Sequence, residues 1–229
     1  MCKPASMVLT QHKVFSSKRT DAHAEIIREF ELTESVAGKI CLLKVEITPT
    51  GGDMSKPLAD WQYRVDQEVD ALPEWFDAAE CEKRTRQHLA DVWAKERLVL
   101  SGQVRTIQEL ECVFACGSSQ VTAYGSSQVT ACDSSQVTAI DSSHVTAYGS
   151  SRVTACGSSQ VTAYDSSQVS AYDSSHVTAC HGNATVSCYC KFSIKLTGVC
   201  AVVIDRTLSK AKCYVGTAKT RTIKIGGGK

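Results

Sequence analysis

Gly117-Ser118-Ser119-Gln120-Val121-Thr122-Ala123-Tyr124 is the first of eight consecutive octapeptides that run to Cys180. The copies begin at Gly117, Gly125, Asp133, Asp141, Gly149, Gly157, Asp165 and Asp173. The fifth position is Val in every copy, from Val121 to Val177, and the seventh is always Ala. The sixth is Thr except at Ser170. A short strict period of this kind decides the architecture, because one unit cannot bury its apolar face without its neighbours.

Within a copy, the third, fifth and seventh positions are Ser, Val and Ala. Side chains alternate along a strand, so these three share one face. The fourth, sixth and eighth share the other. Val and Thr favour strand, and Gly or Asp followed by Ser favours a turn. A helix is disfavoured by two Ser and a Gly or Asp in every eight residues. Each copy therefore reads as a short strand and a corner. The expected fold is mainly β: a β-solenoid of stacked octapeptide pairs, 16 residues per coil, with a small α/β N-terminal capping domain.

Two copies per coil sort the variable positions into ladders. One outer face stacks Gln120, Gln136, Arg152 and Gln168; the other stacks Gln128, His144, Gln160 and His176. Beside them run Thr122 and Thr138 on one face, Thr130 and Thr146 on the other. The eighth position stacks Cys116, Cys132, Tyr148, Tyr164 and Cys180 at one edge, and Tyr124, Ile140, Cys156 and Tyr172 at the other. The Tyr stacks are expected to form a stiff apolar spine. The lumen should hold Val, Ala and Ser, with the Ser hydroxyls bonded to backbone or to each other.

The repeat decays gradually. After a one-residue slip at His181, Gly182 to Tyr189 is a ninth copy, and Ile194 and Val202 continue the eight-residue spacing from Val186. Upstream, Val113 to Cys116 keeps the register. The predicted division is 1–98 for the head, 99–206 for the solenoid and 207–229 for a basic cap or tail. Residues 191–229 hold nine Lys/Arg against Asp205, a net of +8, whereas the repeats hold four Asp against Arg152, a net of −3. Acid at that density is too sparse for the rows of a DNA mimic. The basic end reads as a solubilising cap, and nucleic acid is not an expected partner.

The head has no period. Lys39 to Ile47 reads as a strand closed by Thr48-Pro49-Thr50-Gly51-Gly52. Segments 7–15 and 24–32 are candidates to pair with it, the second being equally compatible with a helix. The clearest helix runs from Ala78 to about Arg97, with Asp77 as N-cap, Glu80 completing a capping box, and Leu89, Val92 and Trp93 as its apolar stripe. This domain is expected to plug the N-terminal end of the coil stack, where an open sheet edge would polymerise.

Twelve Cys occur without a secretory signal, and no stretch is long enough to span a membrane. Several Cys replace Tyr or Ile in a repeat slot and behave there as small hydrophobes. The expected location is the cytoplasm.

The Tyr-Gly-Ser-Ser-Gln-Val-Thr-Ala copies resemble the 16-residue repeats of bacterial ice-nucleation proteins, although each strand here carries one Thr column. A resemblance covering nearly the whole chain is to octapeptide-repeat proteins of bacteria and their phages. It rests on Gly182-Asn183-Ala184-Thr185-Val186 and on the head segments Trp61 to Gln67 and Leu72 to Phe76. That resemblance implies a solenoid fold and a mobile-element setting, and carries no activity.

Few residues suggest chemistry. Cys180, His181, Cys188 and Cys190 cluster in sequence, but their spacing fits no standard zinc pattern, and core and corner roles are expected. Asp53, Asp60, Asp66, Glu68, Asp70 and Glu74 surround Trp61 and Trp75, as a cleft or, more simply, as solvated loops. Trp61, Tyr63, Trp75 and Phe76 suit a small core better than a binding patch. No P-loop, dinucleotide fingerprint or serine-hydrolase elbow is present, and no Ser has a paired His and carboxylate in the sequence. No catalytic residue, metal or cofactor is expected. The chain reads as a non-catalytic interaction protein that occludes a host protein or complex, with self-association through the Tyr/Cys ladder. The alternatives are ice binding through the Thr/Gln ladders and an unidentified activity in the head.

Overall fold

The computed structural model describes residues 5–54, 56–190, 193–196, 201–207, 212–215 and 221–225. The chain divides into two compact units, Met1–Leu98 and Val99–Lys229.

In the head, β1 (Ser6–Leu9), β2 (Val14–Phe15), α1 (His23–Glu29), β3 (Ser35–Val36), β4 (Lys39–Ile40), β5 (Leu43–Thr48) and β6 (Gln62–Val65) follow in order. An antiparallel sheet has the order β2-β1-β5-β6. The strand expected from Lys39 to Ile47 is split: β4 pairs with β3 across a turn at Ala37 and Gly38, both at positive φ, and only β5 enters the sheet. The ambiguous segment 24–32 is helical over α1, where Ala, Glu and Arg are good helix formers. Ile26 and Ile27 pack there with Val8 and Leu42.

The predicted helix from Ala78 contains a wider turn. It comprises α2 (Ala78–His88), a π-turn (Leu89–Trp93) and α3 (Ala94–Arg97). The Asp77 carboxylate accepts from the Glu80 N–H at 2.8 Å and sets the start. The buried residues on this segment are Cys81, Thr85, Leu89, Trp93 and Arg97, a strict spacing of four. On a regular helix such a row drifts by about 40° per step. The π-turn has more residues per turn and draws the row back towards one face.

The solenoid begins with β7 (Leu98–Val99), β8 (Val104–Ile107) and β9 (Cys112–Ala115). The octapeptides then supply β10 (Gln120–Ala123), β11 (Gln128–Ala131), β12 (Gln136–Ala139), β13 (His144–Ala147), β14 (Arg152–Ala155), β15 (Gln160–Ala163), β16 (Gln168–Ala171) and β17 (His176–Cys180). It closes with β18 (Thr185–Cys188), β19 (Ser193–Leu196), β20 (Val202–Asp205), β21 (Lys212–Val215) and β22 (Arg221–Lys224). Copies alternate between two eight-stranded sheets, ordered β21-β20-β18-β16-β14-β12-β10-β8 and β22-β19-β17-β15-β13-β11-β9-β7. Val121 pairs with Val137 and Val129 with Val145, all parallel, so one coil is 16 residues. Every Val and Ala of the regular strands whose side chain is described is buried in one continuous core that runs from Val99 to Ile225.

The corners explain the first position of the repeat. All eight first residues have positive φ, from 52° at Asp165 to 65° at Gly157. Gly tolerates that region freely, and Asp, like Asn, tolerates it better than most other side chains. Down each corner stack, Gly and Asp alternate. The Asp carboxylate accepts the N–H of the Gly one coil earlier: Asp133 from Gly117 at 2.9 Å, Asp141 from Gly125 at 3.3 Å, Asp165 from Gly149 at 3.0 Å and Asp173 from Gly157 at 3.2 Å. A Cβ on Gly149 would stand 3.0 Å from the Asp133 backbone, and one on Gly157 would stand 2.9 Å from that of Asp141. The packing unit is thus two coils, and the order Gly, Gly, Asp, Asp in the sequence records it.

Three details differ from the expected register. The slip placed at His181 is absorbed inside β17, where Val161 pairs with Val177 but Thr162 pairs with Ala179. Val203, rather than Val202, continues the lumen column, because Val186 pairs with Val203. The buried Ser hydroxyls were expected to find partners, and six do not: Ser119, Ser127, Ser135, Ser143, Ser151 and Ser159. Ser167 donates to the Tyr164 carbonyl at 2.7 Å. In the later coils Ala184 and Ala201, both fully buried, take this lumen column over from Ser. After β20 the parallel pattern ends. β21 pairs antiparallel with β20, and β22 with β19. Lys212 and Lys224 are exposed on these last strands, and charge at a terminal strand resists pairing with another chain.

Candidate interaction surface

The outer faces carry the ladders in unbroken register. Gln120, Gln136, Arg152 and Gln168 align on one sheet, and Gln128, His144, Gln160 and His176 on the other. All eight are exposed. Thr122, Thr138, Thr154 and Ser170 form the second outward column of the first sheet, and Thr130, Thr146 and Thr162 that of the second. Most of these are half-buried, since long neighbours shade the short hydroxyl side chain. The lattice is polar and nearly uncharged, with a rise of about 4.8 Å from coil to coil.

The edges are less uniform than the expected spine. Tyr148 stacks on Tyr164 with centroids 4.9 Å apart, and Tyr164 stacks on His181 at 4.6 Å. His181 therefore occupies the slot assigned to Cys180, whose side chain lies outside the described residues. The bulge in β17 moves His181 there. At the other edge Tyr172 stacks on Tyr189 at 4.6 Å, while Tyr124 is followed by Ile140 and Cys156. Aromatic stacking is thus concentrated in the later coils. Tyr124, Tyr148 and Tyr189 remain exposed. Burial raises the Tyr148 hydroxyl above its ordinary value, with a further contribution from Tyr164.

Of the repeat-slot cysteines, Cys116 is buried as a small hydrophobe, while Cys132 and Cys156 are half-buried. Cys188 and Cys190 are buried as well. Burial raises the thiols of Cys156 and Cys190 above the ordinary range, which favours the protonated form that packs against carbon. Among the described residues no three His, Cys, Asp or Glu side chains converge as metal ligands. Of the acidic residues near Trp61, Asp66 pairs with Arg64 at 2.8 Å and Glu74 with Lys39 at 2.9 Å. Trp61 is core, packed edge-on against Trp93 at 5.8 Å. Tyr63 is half-buried, and desolvation pushes its hydroxyl up to about 12. Trp75 lines a cavity of about 410 Å³ with Lys39, Ile40, Cys41 and Glu74.

One arrangement in the head escaped the sequence. Ser16 Oγ lies 2.8 Å from His88 Nε2, across 72 residues. Both line a cavity of about 430 Å³.

No helix among the described residues is long and apolar enough to cross a membrane. Comparison with protein-family models, curated proteins and solved structures found no match, so the resemblances rest on the octapeptides and head segments that carry them.

Proposed function

We propose that the solenoid is a non-catalytic binding rod, and that the chain acts by occluding a macromolecular complex of a bacterial host in a phage or prophage setting. The observation that carries this reading is the register of the outer ladders. Eight exposed Gln, His and Arg side chains stand on two sheets whose backbone is fixed by hydrogen bonds to the coils on either side. A surface already ordered loses little conformational entropy on binding, so weak repeated contacts add up. Near-neutral faces suit a protein partner better than a phosphate backbone, which selects for dense Lys and Arg. The host origin of the partner rests on the phage-type resemblance, and a cytoplasmic location on cysteines used as small hydrophobes in repeat slots; both belong to the same proposal, as does self-association through the Tyr/Cys ladder.

The test is a face-specific variant. Gln120→Glu, Gln136→Glu and Gln168→Glu together place like charges along one sheet without touching the lumen. Partner capture from a bacterial lysate should be lost with this variant and retained when the same change is made on the opposite sheet. Equal capture by both variants and the wild type removes the reading. A regular Thr column on each sheet supports ice binding as the second reading. Ice recrystallisation unaffected at high protein concentration rejects it. Light scattering that shows a monomer at high concentration rejects self-association.

A further inference from the structure

The head places a hydroxyl, an imidazole and a cavity together. Ser16 follows β2 and is buried. His88 ends α2, at the point where the helix widens into the π-turn. The shared cavity of about 430 Å³ is lined by Phe15 and Phe30, whose rings lie 5.2 Å apart, by Lys18 and Arg19, and by Glu29 and Glu96. That volume is in the range that encloses a small organic molecule. Apolar rings beside balanced charges of both signs suit an uncharged compound with one apolar part and one polar part.

We propose that Ser16 is a nucleophile and His88 its general base, in an acyl-transfer site for small esters of apolar acids. The site lies within the head and adds a chemical activity to the binding role proposed for the solenoid. The geometry meets the first requirement of such a pair, a nucleophile within hydrogen-bond reach of its base. Burial lowers His88 below its ordinary value, against the opposing effects of Glu96 and Asp91. The ring is then neutral at neutral pH and can accept the Ser16 proton at Nε2. Arg19 lines the same cavity and supplies positive charge for the carbonyl oxygen as it becomes an oxyanion, while Lys18 is paired with Glu96 at 3.5 Å. In the first step the bond from Ser16 Oγ to the acyl carbon forms and the proton passes to His88. The ester C–O bond then breaks, and the alcohol leaves with that proton. Water attacks the acyl-serine, gives its proton to His88, and releases the acid as Ser16 is reprotonated.

The full chain is incubated with an alkyl fluorophosphonate, which phosphonylates an activated serine with loss of fluoride, and is mapped by mass spectrometry. A single adduct on Ser16 is expected, together with hydrolysis of p-nitrophenyl butyrate. Ser16→Ala should remove the adduct. His88→Gln keeps a hydrogen-bonding side chain beside Ser16 but no base, and should slow labelling about 100-fold. Folded wild-type protein that gains no adduct on Ser16 overturns the proposal, whatever the variants do. Labelling of His88→Gln at the wild-type rate overturns it as well. Neither result touches the face-specific capture experiment, so the two readings fail separately.

Discussion

The two units bury polar groups differently: the head leaves isolated atoms, such as the Tyr63 hydroxyl and one Asp21 oxygen, without a hydrogen-bond partner, whereas the solenoid leaves a repeated column. In the head, Arg97 is fully buried and its guanidinium is committed: it donates to the Ser17 carbonyl at 2.8 Å and the Thr20 carbonyl at 3.3 Å, and pairs with Asp21 at 2.7 Å. In the solenoid, six Ser hydroxyls are equally buried and have no partner. A charge cannot be left unpaired in a core, whereas a neutral hydroxyl in a narrow lumen costs far less. An aperiodic unit can tailor partners to one residue. A periodic unit repeats whatever its consensus leaves unsatisfied, and stays folded because each coil gains the same Val and Ala burial again.

The largest test of this contrast is Arg97→Met. It strands the Asp21 carboxylate and two carbonyls, and should destabilise the head by about 3–5 kcal/mol. All three Trp lie in the head, so urea unfolding followed by Trp fluorescence reports that unit, while the strand component of the far-UV circular dichroism comes mostly from the coils. The fluorescence transition should move and the coil transition should not. Equal movement of both would show that the units unfold as one, and the contrast would lose its meaning.

Next in size is the corner. Gly149→Ala combines positive φ with a Cβ 3.0 Å from the Asp133 backbone, and should cost the solenoid about 2–3 kcal/mol. Gly38→Ala, at φ 79° but with nothing within 4 Å, should cost the head about 1 kcal/mol. The difference isolates the coil-to-coil contact from the backbone term. Thermal melts of the two variants that shift equally would show that the Asp/Gly alternation is not a packing requirement.

These residues also mark what could be read from sequence. The period of eight and the alternation of Ser, Val and Ala dictated strands and lumen; 16 residues per coil was the favoured solution, three octapeptides per coil also fitted the period, and the pairing of Val121 with Val137 decides between them. The order Gly, Gly, Asp, Asp was equally visible, but its meaning needed the close approach of neighbouring corners. Register at the worn end was not legible. An inserted residue in a solenoid can bulge at any place where backbone bonds are weakest, and His181 took a Tyr slot because the chain bulged within β17. In the head, propensity and capping give the helix from Asp77, but its π-turn at Leu89–Trp93 is not legible there, because the row from Cys81 to Arg97 shows its meaning only once its burial is seen. The pairing of Ser16 with His88 depends on how β2 packs on α2, a contact with no local signature.

A smaller effect separates the serines from one another. Ser135→Ala removes a buried hydroxyl that has no partner, and should leave stability unchanged or raise it by up to about 1 kcal/mol. Ser167→Ala removes a hydroxyl that donates at 2.7 Å, and should lower stability by about 1 kcal/mol. Ala184 and Ala201 already fill this column in later coils, so the substitution suits the backbone. Differential scanning calorimetry of the two variants should give shifts of opposite sign, or a shift for Ser167→Ala only. Loss of stability in Ser135→Ala would mean that the hydroxyl has a partner after all.

The smallest effect is the pH dependence of the head through His88. Burial holds this imidazole below its ordinary value of 6.5, so the unfolded chain binds its proton more readily than the folded one. The sign follows from linkage: stability from this group is complete above 6.5 and is lost as pH falls through the lower folded value. The urea midpoint of the Trp transition should therefore fall on acidification from neutral pH. His88→Gln cannot titrate, and should flatten that slope while leaving the far-UV transition of the coils unchanged. A slope that survives in His88→Gln would assign the acid sensitivity to other groups. It would also remove the support that a neutral imidazole lends to the pairing with Ser16.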